Sequence, residues 1–353
     1  MSAPPPHPSD QSVFMRACRR EPVPHTPIWL MRQAGRYMEE YRAVRAKTTL
    51  LDLCKSPDLV SEVTVTAARR LGVDAAILFA DLLLVVEPLG LRLEFSQGEG
   101  PVIDPPVRDG RGVDSLREVR PEDLAYVFDA VRATRRDLDA GLPLIGFAGA
   151  PFTVASYLIE GRGSRHYAHT KRLMYGDEGA WNALMEKLVR AQTAYLNRQI
   201  EAGCQAVQLF DSWVGALSPT DYRRYVKPHV RALLAGVTPG VPVLHFGTGT
   251  AALLADMRDA GGSVIGLDWR VDLDRAWSEV GYDRAIMGNL DPLVLLAEPA
   301  VVEREAGRIL DQAAGRPGHV FNLGHGILPE TPVDHVIRLV QTVHERSART
   351  APR

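Results

Sequence analysis

The sequence predicts an α/β fold in which eight parallel strands, each followed by a helix, close into a single (β/α)8 TIM barrel. Eight short apolar runs, each typical of a buried strand, recur along the 353 residues. Helix-like stretches separate them, and strands that alternate with helices form parallel sheets. Eight is also the strand count of a closed barrel. An open doubly wound sheet with a nucleotide site is the weaker alternative, because the sequence contains neither GxGxxG after the first strand nor GxxxxGK[ST].

Each predicted strand ends at a polar or glycine residue. The strands are expected at 28–31, 75–80, 143–148, 206–210, 242–246, 263–267, 285–288 and 319–323. Active sites of such barrels lie at the carboxyl ends of the strands. We therefore expect the residues that follow these runs to face one shared mouth.

Three helices between the strands are well marked, at 56–72, 180–203 and 251–261. The first begins with serine and proline, and the other two close on glycine. The stretch 94–120 is rich in glycine, proline and charge, and we interpret it as an excursion with room for a short hairpin. The expected organisation is a proline-rich disordered lead-in at 1–12, one barrel domain at 13–346 and a tail at 347–353.

Composition excludes several classes of partner. The 41 basic and 43 acidic residues give a formal net charge of −2, which argues against a general nucleic-acid or membrane surface. No apolar run approaches the roughly 18 residues of a membrane span. The N-terminus lacks a secretory signal pattern. Three widely spaced cysteines form no disulfide framework and suit a reducing compartment, so we expect a cytoplasmic protein.

The segment MRQAGRY places Arg32 and Arg36 around Gly35, directly after the first apolar run. A guanidinium offers a planar fork of donors that matches carboxylate or phosphate, and glycine lets the backbone approach a ligand. The segment therefore predicts an anion site. The plainer alternative is two solvated arginines on a first helical turn.

Asp81 lies within LFADLLLVVEPLG, with apolar residues on both sides. A buried carboxylate is costly unless donors face it or its pKa rises. Its position leaves open a functional carboxylate, an N-cap for the following segment and a partner for a structural arginine.

Other polar residues near strand ends are ambiguous when taken alone. Tyr157 suits either a hydrogen-bond donor or a packing residue on a first helical turn, and Ser212 suits either a ligand contact or a helix N-cap. His325, between two glycines, suits a substrate contact, an acid/base group or a turn. His245 is expected to be a core or rim histidine. HExxH, GxSxG, CxxC and a strand-end lysine are missing, so the set indicates a bulky ligand with an acidic periphery and no metal.

Several motifs resemble those of the uroporphyrinogen decarboxylase family. They are IWLMRQAGRYMEEYRAVR at 28–45, AAILFADLLLVVEPLG at 75–90, GFAGAPFTVASYLIEG at 146–161, Ser212–Trp213, and FNLGHGI at 321–327. The resemblance runs from about Val13 to about Arg346. It implies a single barrel, a homodimer and a cofactor-free reaction that converts the four acetates of uroporphyrinogen III to methyl groups. The products are coproporphyrinogen III and carbon dioxide, in haem and tetrapyrrole synthesis.

The resemblance also implies roles for particular residues. Asp81 matches the aspartate that accepts hydrogen bonds from the pyrrole N–H groups. The family's contacts to the substrate carboxylates match Arg32 and Arg36 together with the backbone of Gln33, Ala34 and Gly35. Further substrate-contacting positions of the family match Tyr157, Ser212 and His325. We expect Asp81 to stabilise developing positive charge and the two arginines to position the reacting carboxylate. The proton donor is not identified.

Two other functions are weighed against this one. Zinc-dependent methyltransferases of the same superfamily, which act on corrinoid or thiol substrates, carry an HxC pair and a cysteine in the last loop. Here the corresponding stretches are 245–247 (HFG) and 324–326 (GHG), so both thiolate ligands are missing. A non-catalytic tetrapyrrole-binding protein would need no carboxylate aimed at a developing cation.

Overall fold

The computed structural model describes residues 7–96 and 100–349. The strands are β1 (Ala76–Ile77), β2 (Arg92–Ser96), β3 (Gly100–Asp104), β4 (Leu144–Gly149), β5 (Ala206–Asp211), β6 (Val243–Gly247), β7 (Val264–Gly266), β8 (Ala285–Met287) and β9 (His319–Val320). Seven of them form one curled parallel sheet in the order β1-β4-β5-β6-β7-β8-β9, and β2 pairs with β3 in an antiparallel ribbon. The predicted α/β class and parallel sheet are confirmed.

Seven of the eight predicted runs contain a strand of this sheet. The first run, 28–31, is different, because it contributes only a parallel bridge between Ile28 and Phe321. The Phe321 amide donates to the Pro27 carbonyl over 2.8 Å, and the Asp74 amide donates to the Ile28 carbonyl over 2.8 Å. Residues 27–28 thus bond to the segments that adjoin β9 and β1, the two edge strands.

The second predicted strand is shorter than expected. Residues 75–80 were expected to be extended, whereas β1 covers only Ala76–Ile77. Beyond it the Phe79 amide donates to the Thr64 hydroxyl over 3.0 Å instead of to a neighbouring strand. This side-chain bond ends the ladder and turns the chain toward Asp81.

The α-helices surround the sheet. They are α1 (Val13–Cys18), α2 (Glu39–Arg45), α3 (Leu50–Cys54), α4 (Pro57–Leu71), α5 (Gly110–Ser115), α6 (Ala125–Asp137), α7 (Pro151–Glu160), α8 (Ala168–Gly176), α9 (Glu178–Ala202), α10 (Pro219–Asp221), α11 (Lys227–Gly236), α12 (Leu254–Ala260), α13 (Leu273–Val280), α14 (Pro299–Ala313) and α15 (Val333–Ser347). The three predicted helices are confirmed as α4, α9 and α12. Both predicted glycine C-caps, Gly203 and Gly261, are present, whereas the Ser56 side chain makes no capping bond. Within residues 7–96 and 100–349, no helix is both long and apolar enough to cross a bilayer.

The stretch 94–120 contains the expected hairpin, although its first strand begins earlier, at Arg92, and residues 97–99 lie outside the described part of the chain. The hairpin is bonded to the end of α7. The Ile103 amide donates to the Gly161 carbonyl over 2.8 Å, and the Val107 amide donates to the Leu158 carbonyl over 2.9 Å. These bonds hold the hairpin beside the helix that carries Tyr157.

The expected disorder of the lead-in does not extend over residues 8–12. Pro8–Gln11 form a 3-10 helix in which Ser9 is buried, and Ser12 caps α1. Residues 1–6 lie outside the described part. At the other end α15 continues to Ser347, and residues 350–353 of the predicted tail are again outside it.

Side chains alternate between two cores along the strands, as the period of a pleated strand requires. Leu244 and Val264, paired across β6 and β7, pack with Trp29 inside the curl of the sheet. Their neighbours Val243 and Ile265 pack in the larger core with the helices. Because these side chains fill the inside of the curled sheet, space for a ligand inside the curl lies near the carboxyl ends of the strands.

Candidate active site

A cavity of about 310 Å³ lies at the carboxyl end of β1 and its neighbours. This size falls at the lower end of the range of ligand pockets, roughly 300–1,000 Å³. The cavity brings together seven of the predicted site residues: Arg32, Gln33, Ala34, Asp81, Tyr157, Ser212 and His325. Its other walls are largely apolar and include Phe79, Phe95, Phe147 and Phe210. Of the residues that follow predicted strands, Arg32, Asp81, Ser212 and His325 line this shared mouth, whereas Asp211, Asp268 and Asn289 do not.

Arg32 adopts an unusual backbone conformation. Its φ angle is +59°, in the left-handed region that costs a residue with a side chain roughly 1 kcal/mol or more. The Tyr37 hydroxyl donates to the Gln33 carbonyl over 2.6 Å and secures the turn. Residues 31–38 form turns and bends, and helix α2 begins only at Glu39, so the alternative of a first helical turn is wrong.

Gly326 makes room for the Arg32 side chain. A Cβ atom at residue 326 would lie 2.4 Å from Cδ and 2.5 Å from Cγ of Arg32. The side chain of Arg32 therefore reaches the cavity across a surface that only glycine leaves open. Residues from opposite ends of the chain create this path.

Arg36 and Gly35 are not among the residues that line the cavity. Arg36 is exposed, and its carbonyl accepts a hydrogen bond of 2.9 Å from the Arg42 guanidinium. Four-residue spacing would place two side chains on one face only if the segment were helical. Because it forms turns, Arg36 does not accompany Arg32 at the cavity wall.

Asp81 lies just beyond β1, in the apolar wall of the cavity. Its Oδ1 accepts a bond of 2.9 Å from the Leu83 amide. Burial raises the pKa of Asp81, and the Leu83 bond and the nearby charge of Arg32 oppose this shift. One of the predicted alternatives is thus partly realised, since the carboxylate does stabilise the following turn. Its Oδ2 has no recorded protein donor in the part of the chain that the structure describes.

Tyr157 lies in the second turn of α7, one turn later than expected. Its ring stacks on Trp213, with centroids 3.7 Å apart and an interplanar angle of 28°. Burial raises the pKa of the Tyr157 phenol well above its usual range, with a smaller contribution from the charge of Asp81. The hydroxyl therefore stays protonated at neutral pH and can donate a hydrogen bond.

Ser212 lines the cavity without capping a helix. The next 3-10 turn begins at Val214, and its N-cap position is Trp213. The Ser212 carbonyl accepts a bond from the Thr248 hydroxyl. The alternative of an N-cap serine is therefore wrong.

Asp211 and Thr153 form a positioning pair that sequence reasoning missed. Asp211 is fully buried, and its Oδ1 accepts a bond of 2.7 Å from the Thr153 hydroxyl. Burial raises the pKa of Asp211 to about 7. The Thr153 hydroxyl in turn accepts a bond of 3.2 Å from the Trp213 amide, which fixes the residue that stacks on Tyr157. The position of Asp211 at a strand end was the available signal.

His325 is held rigidly. A Cβ atom at Gly324 would lie 2.3 Å from the Trp269 amide nitrogen, so this glycine serves close packing rather than flexibility. Burial, followed by the positive charges of Arg32 and Arg270, lowers the pKa of His325 to about 4. The imidazole is therefore neutral at pH 7. His245 is also buried, away from the cavity, with Nδ1 3.3 Å from the Gly261 carbonyl, as expected of a core histidine.

Comparison with known protein sequences identifies the family of this chain. A model of the family described as uroporphyrinogen decarboxylase matches residues 9–346. A protein of that name from Sorangium cellulosum is 60% identical over 333 residues, which cover 94% of this chain and 95% of the relative. Another from Koribacter versatilis is 54% identical over 340 residues, with 96% and 97% covered.

A similar fold occurs in a solved methyltransferase from Methanosarcina mazei. The TM-score is 0.79 at 21% identity, with 95% of this chain and 98% of the other covered, so the likeness concerns the fold alone. The three cysteines, Cys18, Cys54 and Cys204, are buried, and none lines the cavity, so the thiolate ligands of a zinc methyltransferase are not provided there. On its sequence relatives, the chain belongs to the uroporphyrinogen decarboxylase family.

Proposed function

We propose that this chain is a carboxy-lyase that removes the four acetate carboxyl groups of uroporphyrinogen III and forms coproporphyrinogen III. The observation that carries the proposal is Asp81, a carboxylate with an open oxygen in an apolar wall, beside Arg32. A macrocycle with N–H donors at its centre and carboxylates at its edge complements this arrangement. Family membership supports the same substrate.

The chemistry requires an electron sink. Loss of carbon dioxide from an acetate leaves an electron pair on carbon, and a neutral electron-rich pyrrole does not accept it. Protonation of the ring first creates a cation, into which the pair moves as the bond to the carboxyl carbon breaks. A second proton then reaches the exocyclic carbon as the ring proton leaves. Each acetate thus consumes one proton and releases one carbon dioxide, with no oxidant and no cofactor.

Asp81 would stabilise the cationic ring. An ionised carboxylate held in an apolar wall is already in place when the positive charge develops, which is the condition for electrostatic preorganisation. Substrate N–H groups would occupy its open oxygen, so binding also favours the ionised form against the effect of burial. A single Asp81 can serve all four acetates if the macrocycle rebinds in successive orientations.

The remaining predicted residues would bind the periphery of the substrate. Arg32 would hold the reacting carboxylate in the cavity, and Arg36 would bind a further carboxylate at the rim. The backbone of Gln33, Ala34 and Gly35 would add amide donors on the same side. Tyr157, Ser212 and the neutral His325 would supply uncharged hydrogen bonds, which add no competing charge near the reacting ring.

We also propose the finer architecture. Residues 28–31 would act as the eighth strand of a closed (β/α)8 barrel. Hydrogen bonds of this segment to the chain beside both edge strands support the proposal. The catalytic domain would span 13–346. The resemblance alone supports a homodimer, and three free buried cysteines support a cytoplasmic location.

The test is anaerobic incubation of the purified, chelator-treated chain with uroporphyrinogen III, followed by oxidation and chromatographic counting of product carboxylates. We expect porphyrins with seven, six, five and four carboxylates to appear in sequence. If the folded protein bound the substrate without converting it, the proposal would fail in favour of a tetrapyrrole-binding protein. Methyl transfer with added zinc would favour the other alternative.

A further inference from the structure

A compact cluster of metal-ligating side chains lies at the amino end of the sheet, opposite the cavity. It comprises His25, Asp74 and His344, which we call the His–Asp–His cluster. His25 precedes the bridge at Ile28, Asp74 lies just before β1, and His344 is in the last turns of α15. Three segments that are far apart in the sequence thus meet at one point.

We propose that the His–Asp–His cluster binds a divalent transition-metal ion, with Zn²⁺ as the best fit. One ligand atom of each residue lies within 4.8 Å of the other two. The Nε2 atom of His25 is 3.1 Å from Oδ1 of Asp74. Donor atoms about 2.0–2.1 Å from a tetrahedral Zn²⁺ stand roughly 3.3 Å apart, so this pair already has the required separation.

The second histidine needs only a small adjustment. His344 Nε2 lies 2.7 Å from Oδ2 of Asp74, and the two imidazole centroids are 4.6 Å apart at an angle of 63°. A rotation of the His344 side chain away from Oδ2 would turn Nε2 toward an ion between the rings. Two imidazoles and one carboxylate then leave a fourth position for water, a set that suits Zn²⁺.

The carboxylate is held in place by the backbone. Oδ2 of Asp74 accepts a bond of 2.8 Å from the Ile28 amide, while Oδ1 faces His25. A ligating carboxylate oriented by a hydrogen bond on its other oxygen is the usual arrangement of protein metal sites. Asp74 therefore has one oxygen for the fold and one for an ion.

An ion can reach the cluster from solvent. The side chains of His25, Asp74 and His344 are 25%, 15% and 31% exposed. Burial of this degree admits a hydrated ion and leaves its fourth ligand wet. The bound ion would join the N-terminal segment, the start of β1 and the last helix, and so stabilise the folded chain by mass action. It would take no part in chemistry at the cavity.

The experiment uses the full-length chain without an affinity tag, after chelator treatment. Titration with Zn²⁺ is followed by calorimetry, and Co²⁺ is added separately to read the visible absorption of a tetrahedral site. We expect one saturable site per chain and a rise in Tm with Zn²⁺. His344→Gln and His25→Gln should each weaken Zn²⁺ binding at least tenfold and abolish the Tm rise, whereas His169→Gln, at an exposed position in α8, should change neither.

A second measurement keeps the proposal testable if a variant fails to fold. The zinc X-ray absorption spectrum of the unaltered chain should show nitrogen and oxygen neighbours with the multiple scattering of imidazole. A sulfur neighbour would place the ion on a cysteine and overturn the proposal. The absence of stoichiometric binding, or unchanged binding in His344→Gln, would overturn it as well.

Discussion

Two carboxylates bracket the short strand β1, one at each end of the sheet, and their surroundings differ. Asp74, at the amino end, accepts bonds from His25, His344 and the Ile28 amide. Asp81, at the carboxyl end, accepts one protein bond, from the Leu83 amide. Burial acts to raise the pKa of both carboxyls. At Asp74 the bonds from the two histidines outweigh it and lower the pKa, whereas at Asp81 burial prevails and the pKa stays raised.

The contrast distinguishes a carboxylate that stabilises the fold from one that is available to a ligand. Without a bound ion, Asp74 has its acceptor sites filled by the protein, so its contribution appears as stability of the fold. Asp81 keeps an acceptor site open in an apolar wall, a costly arrangement for a folded chain that a substrate with N–H donors relieves. The same residue type thus stabilises the fold at one end of β1 and, in the proposed mechanism, takes part in chemistry at the other.

Asp81→Asn should give the largest effect and test the functional half of the contrast. The amide keeps the shape but removes the negative charge, so we expect the rate of the first decarboxylation to fall about 10²–10³-fold. Single-turnover conversion of uroporphyrinogen III measures it. Urea unfolding should show a free energy of unfolding equal to or above that of the parent, since the substitution removes a buried charge that is costly to desolvate. A variant that decarboxylates at the parent rate would remove Asp81 from the mechanism.

Asp74→Ala should reverse the pattern. The change leaves the Ile28 amide and two imidazoles without their acceptor, and we expect the free energy of unfolding to drop by about 2–3 kcal/mol. Urea unfolding of chelator-treated protein measures it, with the exposed Asp114→Ala as a control expected to change little. The rate at saturating substrate should be unchanged in the folded variant. Loss of turnover without loss of stability would contradict the assigned division of labour.

Gly326→Ala tests the position of Arg32 at the cavity, because it moves that side chain without altering its charge. The added methyl group displaces the flexible side chain of Arg32, and we expect kcat/KM to fall about tenfold, mainly through KM. Gly176→Ala is the matched control, since nothing lies within 4 Å of its added carbon. Equal kinetics in the two variants would show that the position of Arg32 does not limit binding.

His325→Gln should produce the smallest effect, and only in acid. The folded-state pKa of His325 is lowered to about 4 from an unfolded value of 6.5, so only the unfolded chain takes up the proton between these values. Stability is therefore lost as pH falls from about 6.5 to about 4. The variant should lose less stability than the parent over that window, and urea unfolding at several pH values measures the difference. Parallel curves for the two proteins would mean that His325 is already charged near pH 6.

Local patterns in the sequence predicted much of the fold. Apolar runs located seven strands, and glycine marked the ends of α9 and α12, because these signals depend on neighbouring residues. The run at 28–31 was expected to be a regular strand, yet it bridges only at Ile28. Its pairing depends on the tertiary position of Phe321, a distant residue that local periodicity does not predict.

Strand ends predicted which side chains line the cavity, as at Asp81, Ser212 and His325. The pattern around Gly35 did not fix the position of Arg36, which does not line the cavity because the segment forms turns after the left-handed Arg32. The Asp211–Thr153 pair had only the strand-end position of Asp211 as a signal, and the His–Asp–His cluster had no local signature. Their members meet only through tertiary packing, so neither could be derived from spacing along the chain.

The passage of Arg32 over Gly326 has a consequence for synthesis. The Met31 amide donates to the Asn322 side chain over 3.2 Å, and the Ile327 amide donates to the Met31 carbonyl over 3.0 Å. The surface that contacts the Arg32 side chain is thus formed by residues that are synthesised near the end of translation. A nascent chain still on the ribosome carries Arg32 and Asp81 long before residues 322–327 leave the exit tunnel. Chains that terminate before residue 322 therefore lack His325 and Gly326 of the cavity wall.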